Sequence, residues 1–157
     1  MTDGTFGWHL GTLVRAHSSL LLAALGDFPH GPRGYQTMAT VVEGEHPNQI
    51  ALASYLGIDR TVMTYLLDDL VKAGLVERQQ NPADRRQRRV VATDQGRRTF
   101  ADLERRVCQA EDRLLRALAP DEREAFRQLL RRVACDVRDI DTETDLCTSV
   151  EHLLNQG

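Results

Sequence analysis

The side chains of this 157-residue chain best equipped for chemistry are arginines. Arg78, Arg85, Arg86, Arg88, Arg89, Arg97 and Arg98 share one short stretch with Asp84 and Asp94, a local charge of +5 in a chain of net charge −3. The remainder therefore carries −8, of which −5 follows Cys135. Guanidinium forks match phosphate oxygens better than ammonium groups do. A basic segment inside an acidic protein reads as a focused anion footprint, whereas the net charge argues against a general polyanion binder. A merely solvated arginine face is the bland alternative for this stretch taken alone.

Other reactive side chains form no recognisable constellation. His9, His17, His30, His46 and His152 never combine with Cys108, Cys135 and Cys147 into a CxxC, HxxxH or HExxH spacing. There is no glycine-rich phosphate loop and no GxSxG elbow. Asp68 and Asp69 are adjacent, and neighbouring helical residues do not face each other. The expectation is therefore no enzyme, no cofactor and no metal ligands, with a metal site shared between subunits as the alternative. Composition agrees with a folded, soluble chain, at 41% hydrophobic and 27% charged residues. No apolar run approaches the ~18–20 residues of a membrane span. Met1-Thr-Asp-Gly4 lacks the order of a secretory signal, and the cysteine spacing suits no disulfide framework. These features together place the expected location in the cytoplasm.

The elements that must position the arginines are mostly helical. Phe6, Leu10, Leu13, Val14, His17, Leu20, Leu21 and Ala24 recur at helical steps, and the breaker-rich run from Gly26 to Pro32 ends that helix. A second helix spans Gly34 to Glu43. Pro47 and Asn48 open a third, Gln49 to Leu56, which Gly57 closes. Asp59 then stands as an N-cap for a fourth helix. At 100° per residue, Val62, Met63, Leu66, Leu67, Leu70 and Ala73 fall on an apolar side. Thr61, Thr64, Tyr65, Asp68 and Lys72 fall on the other.

Two short helices joined by a glycine turn, the second with a hydroxyl-bearing outer face, meet the requirements of a helix-turn-helix. Gly74 ends the second helix, and Leu75 to Gln80 reads as a strand. Asn81-Pro-Ala-Asp84 is turn chemistry, and Arg88 to Thr93 supplies a returning strand. A hairpin in this position is a wing, with Arg85 and Arg86 at its tip. The fold class expected is mainly α with a small β-hairpin wing, a winged helix-turn-helix carrying long dimerisation helices. Residues 1–157 form a single domain in this reading, with the winged subregion at 34–96 and dimerisation helices at 1–28 and 97–157.

These residues resemble the MarR (multiple antibiotic resistance regulator) family of bacterial winged-helix transcription factors. The resemblance is carried by Leu70-Val-Lys-Ala-Gly-Leu-Val-Glu-Arg78, Asp84-Arg-Arg86 and Thr93-Asp-Gln-Gly96. The family's pattern is a Gly-Leu-Val-x-Arg strand, a wing Asp-x-Arg, and Leu-Thr-x-x-Gly opening the next helix. Ala92 replaces the usual leucine, and Tyr65 stands where many relatives have arginine. The resemblance implies a sequence-specific regulator, most simply a homodimeric repressor of a palindromic double-stranded DNA operator. The expected DNA-binding residues are Arg60, Thr61, Thr64, Tyr65, Lys72, Arg85, Arg86 and Arg88, with Asp68 and Asp84 bracing the wing.

The C-terminal third suits the dimer. Phe100, Leu103, Val107, Ala110, Leu114 and Ala117 form a coiled-coil-like seam. Pro120 opens a last helix with Asp121, Glu122 and Glu124 near its positive end and Phe126, Leu129, Leu130, Val133, Val137 and Ile140 as its apolar set. A helical hairpin packed within one monomer is the alternative on periodicity alone. The resemblance further implies a small aromatic or anionic effector bound between the winged part and the dimer helices, with Trp8, His9, His17, Tyr35 and Met38 as candidate lining residues. Some relatives sense oxidation through a cysteine in the first helix, and this one has none there. Cys108 sits beside Arg105 and Arg106 but is expected to be a buried structural thiol. A redox- or metal-responsive regulator, or a winged-helix module that binds protein instead of DNA, are the other functions considered.

Overall fold

Glycine, proline and short polar caps divide the described residues into eight elements. The computed structural model describes residues 4–44, 48–81 and 88–140, with side chains as far as residue 137. In order these are α1 (Phe6–Leu25), α2 (Gly31–Glu43), α3 (Gln49–Leu56), α4 (Arg60–Lys72), β1 (Val76–Gln80), β2 (Arg88–Ala92), α5 (Asp94–Leu114) and α6 (Pro120–Ile140). The strands pair antiparallel, Val76 opposite Ala92, Arg78 opposite Val90 and Gln80 opposite Arg88. The fold is mainly α with one two-stranded hairpin, a winged helix-turn-helix followed by two long helices. Pro47, the wing tip with Asp84, Arg85 and Arg86, and Cys147 lie outside the described residues.

Two boundaries differ from the sequence reading. α2 begins at Gly31, not Gly34, because Pro32 occupies its first turn, where a missing N–H costs nothing and the fixed φ suits a helix. A proline counted as a breaker is here a starter. α5 stops at Leu114, leaving Ala117 of the expected seam in the turn before α6. That turn is closed by Glu122, whose Oε2 accepts the Ala119 N–H at 2.8 Å, a carboxylate three residues in reaching back to the cap.

The principal core lies within α2, α3, α4 and the hairpin. Met38, Leu52, Met63, Leu66, Leu67, Leu70 and Val76 are fully buried there. A smaller cluster of Leu25, Leu103 and Val107 joins α1 to α5. Tyr35 touches both clusters and stacks on Phe100 with ring centroids 5.5 Å apart. This aromatic pair couples the winged part to the long helices.

Thr93 explains why the hairpin must return where it does. Its hydroxyl donates to the Gly74 carbonyl at 2.6 Å and accepts the Gly96 N–H at 2.9 Å. One side chain thereby caps α5 and ties it to the end of α4. Gly96 packs so closely on the Leu75 carbonyl that a Cβ would collide with it. The Thr-x-x-Gly spacing is thus a packing requirement.

Candidate nucleic-acid interface

The interface is built on α4. Gly57 takes a positive φ of 66° that suits glycine and allows the chain to reverse between α3 and α4. Asp59 then caps α4, its Oδ1 accepting the Thr61 N–H at 2.8 Å and the Val62 N–H at 3.3 Å. Those amides hold its carboxyl below the ordinary aspartate range. At the front of α3, the Asn48 side chain accepts the Ala51 N–H at 2.9 Å. Both helices of the motif therefore have side-chain caps.

Burial along α4 separates a seat from a presented face. Met63, Leu66, Leu67 and Leu70 face the core, while Arg60, Thr61 and Tyr65 are exposed. Val62 and Ala73 depart from the sequence reading, which set them on the apolar side, because among the described residues no neighbouring element reaches far enough around the helix to cover them. Thr64 departs in the opposite sense. It is half-buried, its hydroxyl donating to the Arg60 carbonyl at 2.9 Å and accepting from Gln49 Nε2 at 2.6 Å. Its only proton is committed, so Thr64 clamps α4 to α3.

Lys72 is exposed at the far end of α4, roughly 18 Å along the axis from Arg60. Its Nζ lies 3.1 Å from Asp69 Oδ1, and His30 Nε2 lies 2.9 Å from Asp69 Oδ2. Hydrogen bonding from Lys72, then from His30, lowers the Asp69 carboxyl below its usual range. His30 itself takes a left-handed backbone, φ 59°, at the start of α2. Imidazole tolerates that region better than most side chains.

The hairpin is braced from the same helix. Asp68 Oδ1 pairs with an Arg78 guanidinium nitrogen at 2.7 Å, linking α4 to β1. Arg88 is exposed at the start of β2, while Arg89 beside it is half-buried. The structure thus brings Arg60, Thr61 and Tyr65 onto one presented helix surface, followed in sequence by a braced arginine-bearing hairpin.

Of the candidate effector residues, Tyr35 and Met38 share the principal core. Trp8 and His9 are exposed in the first turns of α1. Met38 is wholly buried in the core and unavailable to a ligand, because α2 directs it onto Gly96 of α5. Tyr35 is engaged with Phe100, and its phenol is pushed up by burial, then by Glu104, Glu111 and Cys108. His17 lines a cavity of about 370 Å³, with Leu114, Phe126, Arg127, Leu130 and Arg131 among its walls. Cys108, expected to be buried, is exposed, as is Cys135. The seam of α5 turns Phe100, Leu103 and Val107 inward and leaves Cys108 outside.

Sequence reasoning passed over Gln49, His30 and the outward placement of Val62. A polar residue in the first turn of α3, fifteen positions before a threonine, leaves no periodic signal. Asp68 was expected to brace the wing, and the fold identifies Arg78 as the arginine it meets.

Residues 35–87 match the family model described as MarR family. This segment is similar to that family. The whole described architecture extends the likeness. A crystal structure of MarR superposes with a TM-score of 0.74 at 24% identity, covering 89% of this chain and 95% of that one. The transcriptional repressor CouR, solved bound to a 23-mer DNA duplex, gives 0.70 at 29% identity, covering 83% and 92%. The PcaV transcriptional regulator from Streptomyces coelicolor gives 0.65 at 26%, covering 86% and 99%. MarR-family members are transcriptional regulators, not enzymes. Within the matched segment fall α3, α4 and β1, the elements that build the presented face. Among the described residues no helix is long and apolar enough to cross a membrane.

Proposed function

We propose that this chain is a cytoplasmic, homodimeric repressor that binds a palindromic operator and is released by a small ligand. The observation that carries the DNA-binding part is the presented face of α4, with Arg60, Thr61 and Tyr65 exposed beside a hairpin braced by Asp68 and Arg78. A recognition helix enters the major groove by its N-terminal residues, while arginines near the wing meet phosphate or the minor groove. Arg85, Arg86 and Arg88 are assigned that second role, and Asp84 a bracing one.

Dimerisation is supported by apolar surface that one chain leaves uncovered. Phe6, Leu10 and Leu13 of α1 and Leu129, Leu130, Val133 and Val137 of α6 are all exposed. A second copy covering α1 and residues 97–157 would set two recognition helices roughly 34–36 Å apart, one DNA turn. For the effector, the cavity at His17 has the volume of a small-molecule site. Arg131 is its available cation, since Arg127 already pairs with Asp112 at 2.8 Å. A small aromatic acid suits those walls. The ligand acts only through unequal affinity for two spacings of the recognition helices.

The decisive experiment measures binding to DNA from upstream of the chain's own gene by fluorescence anisotropy across a salt series. Arg85→Ala should weaken binding to all sequences and flatten the log–log salt slope by ~1. Unchanged affinity at every salt concentration would remove the wing contact. A Cys108→Ser, Cys135→Ser, Cys147→Ser variant should still repress and still respond to its inducer. Loss of induction alone would move the switch to a thiol.

A further inference from the structure

We infer that Val62, supported by Tyr65, reads the 5-methyl group of a thymine in each operator half-site. The inference deepens the proposed DNA-binding reading and rests on it. Met63, Leu66, Leu67 and Leu70 of α4 are fully buried, yet Val62 is 39% and Tyr65 64% exposed. Val62 is the third residue of the helix, within the turn that Asp59 caps. That end of a recognition helix is the one that reaches base edges. Val62 and Tyr65 lie three residues apart and so are neighbours on the helix surface.

The polar alternatives on this face are restricted. Thr64 has its hydroxyl proton on the Arg60 carbonyl and receives Gln49 Nε2, which removes it as a donor to a base. What remains around Val62 is Arg60 and Thr61, both exposed. Arginine and threonine can hold phosphate or polar base edges, but an isopropyl group cannot. In the major groove the only apolar group a base offers is the thymine methyl. A β-branched side chain is also stiff about χ1, so its methyls stay where the helix puts them. An exposed valine on a helix that fully buries Met63, Leu66, Leu67 and Leu70 is therefore a reader of thymine, and the tyrosine ring extends that apolar step.

The test replaces each thymine of the mapped operator in turn by deoxyuridine, which removes the methyl and keeps the hydrogen-bonding edge. Anisotropy titrations of the full-length protein should find one symmetric position where the substitution weakens binding roughly fourfold per half-site, the effect of one buried methyl. Val62→Ala should weaken binding to the thymine operator by a similar factor and bind the thymine and deoxyuridine forms equally. Its thermal midpoint should match wild type, since the residue is exposed. Equal binding of wild type to every substituted operator overturns the inference, as does full thymine preference retained by Val62→Ala with Tyr65 intact. Failure of wild type to select any upstream DNA would overturn the DNA-binding reading itself, and the thymine inference with it.

Discussion

Leu66, Leu67 and Leu70 of α4 lose all contact with solvent inside one chain, whereas Leu129, Leu130 and Val133 of α6 stay exposed. The residues are aliphatic in both and each helix is amphipathic; the surroundings differ. α4 is enclosed by α2, α3 and the hairpin, so its aliphatic stripe is covered from several directions. α6 is held to the rest by its turn, by Phe126 and by the Arg127–Asp112 pair, which leave most of its stripe bare. Fully burying one leucine contributes about 1.5–3 kcal/mol relative to leaving it in water. The winged part therefore buries its aliphatic stripe within one chain, while α1 and α6 leave apolar side chains exposed.

The sharpest way to break this comparison is to truncate one leucine on each side. Leu67→Ala should cost about 2–5 kcal/mol in urea unfolding, by lost transfer energy and the cavity left behind, at any protein concentration. Leu130→Ala should cost far less at high dilution, and its effect should grow with concentration where a dimer forms. Equal, concentration-independent losses would show that α6 is as enclosed as α4.

A second test concerns how α3 and α4 are joined. Gln49→Ala and Thr64→Ala should each destabilise, and the double variant by less than their sum. The coupling expected is about 0.5–1.5 kcal/mol, the net value of one hydrogen bond. Additive losses would mean that the 2.6 Å contact does not hold the two helices together. Asn48→Ala, which removes the α3 cap, should cost about 1 kcal/mol independently of both.

The contrast between the two regions also marks what the sequence could reveal. α3 and the start of α4 were legible because Asn48, Gly57 and Asp59 act locally, through their own turn's amides or a positive φ. Thr93 and Gly96 were legible as a motif, although the reason for it, close approach to the Leu75 carbonyl, needed the fold. Periodicity indicated that Val62 and Met63 both fall on the apolar side of a helical wheel, but not that coverage ends between them. It could not reveal that Thr64 meets Gln49, nor that Met38 is closed over by Gly96 while Trp8 stands in solvent. Pro32 was misread because a proline ends one helix and begins another with the same ring constraint.

Within the winged part, the ion pairs should matter less than the leucines. Arg78→Ala removes the Asp68 contact between α4 and β1 from a site where both side chains keep some solvent access. The expected loss is at most about 1 kcal/mol, and it should shrink at high salt. A larger, salt-independent loss would place the brace among the core contacts.

The smallest effect expected is the acid limb of stability. Asp69 is held below its ordinary range by Lys72 and then His30, and Asp59 by the amides of Thr61 and Val62. A carboxyl depressed in the folded state binds protons more readily when unfolded. Its contribution is therefore complete above the unfolded value of about 3.9 and is lost as pH falls through the lower folded value. Asp69→Asn keeps an oxygen acceptor for Lys72 and His30 but cannot titrate. Thermal midpoints measured from pH 6 down to pH 2.5 should show wild type ahead of Asp69→Asn at the upper end, with the two curves converging in acid. The gap should be narrow because both partners of the Lys72–Asp69 pair are solvent-exposed, a geometry in which exposed ion pairs contribute little. Curves that stay parallel down to pH 2.5 would show that the Asp69 charge contributes nothing to folding. The link between α2 and α4 would then rest on hydrogen bonding alone.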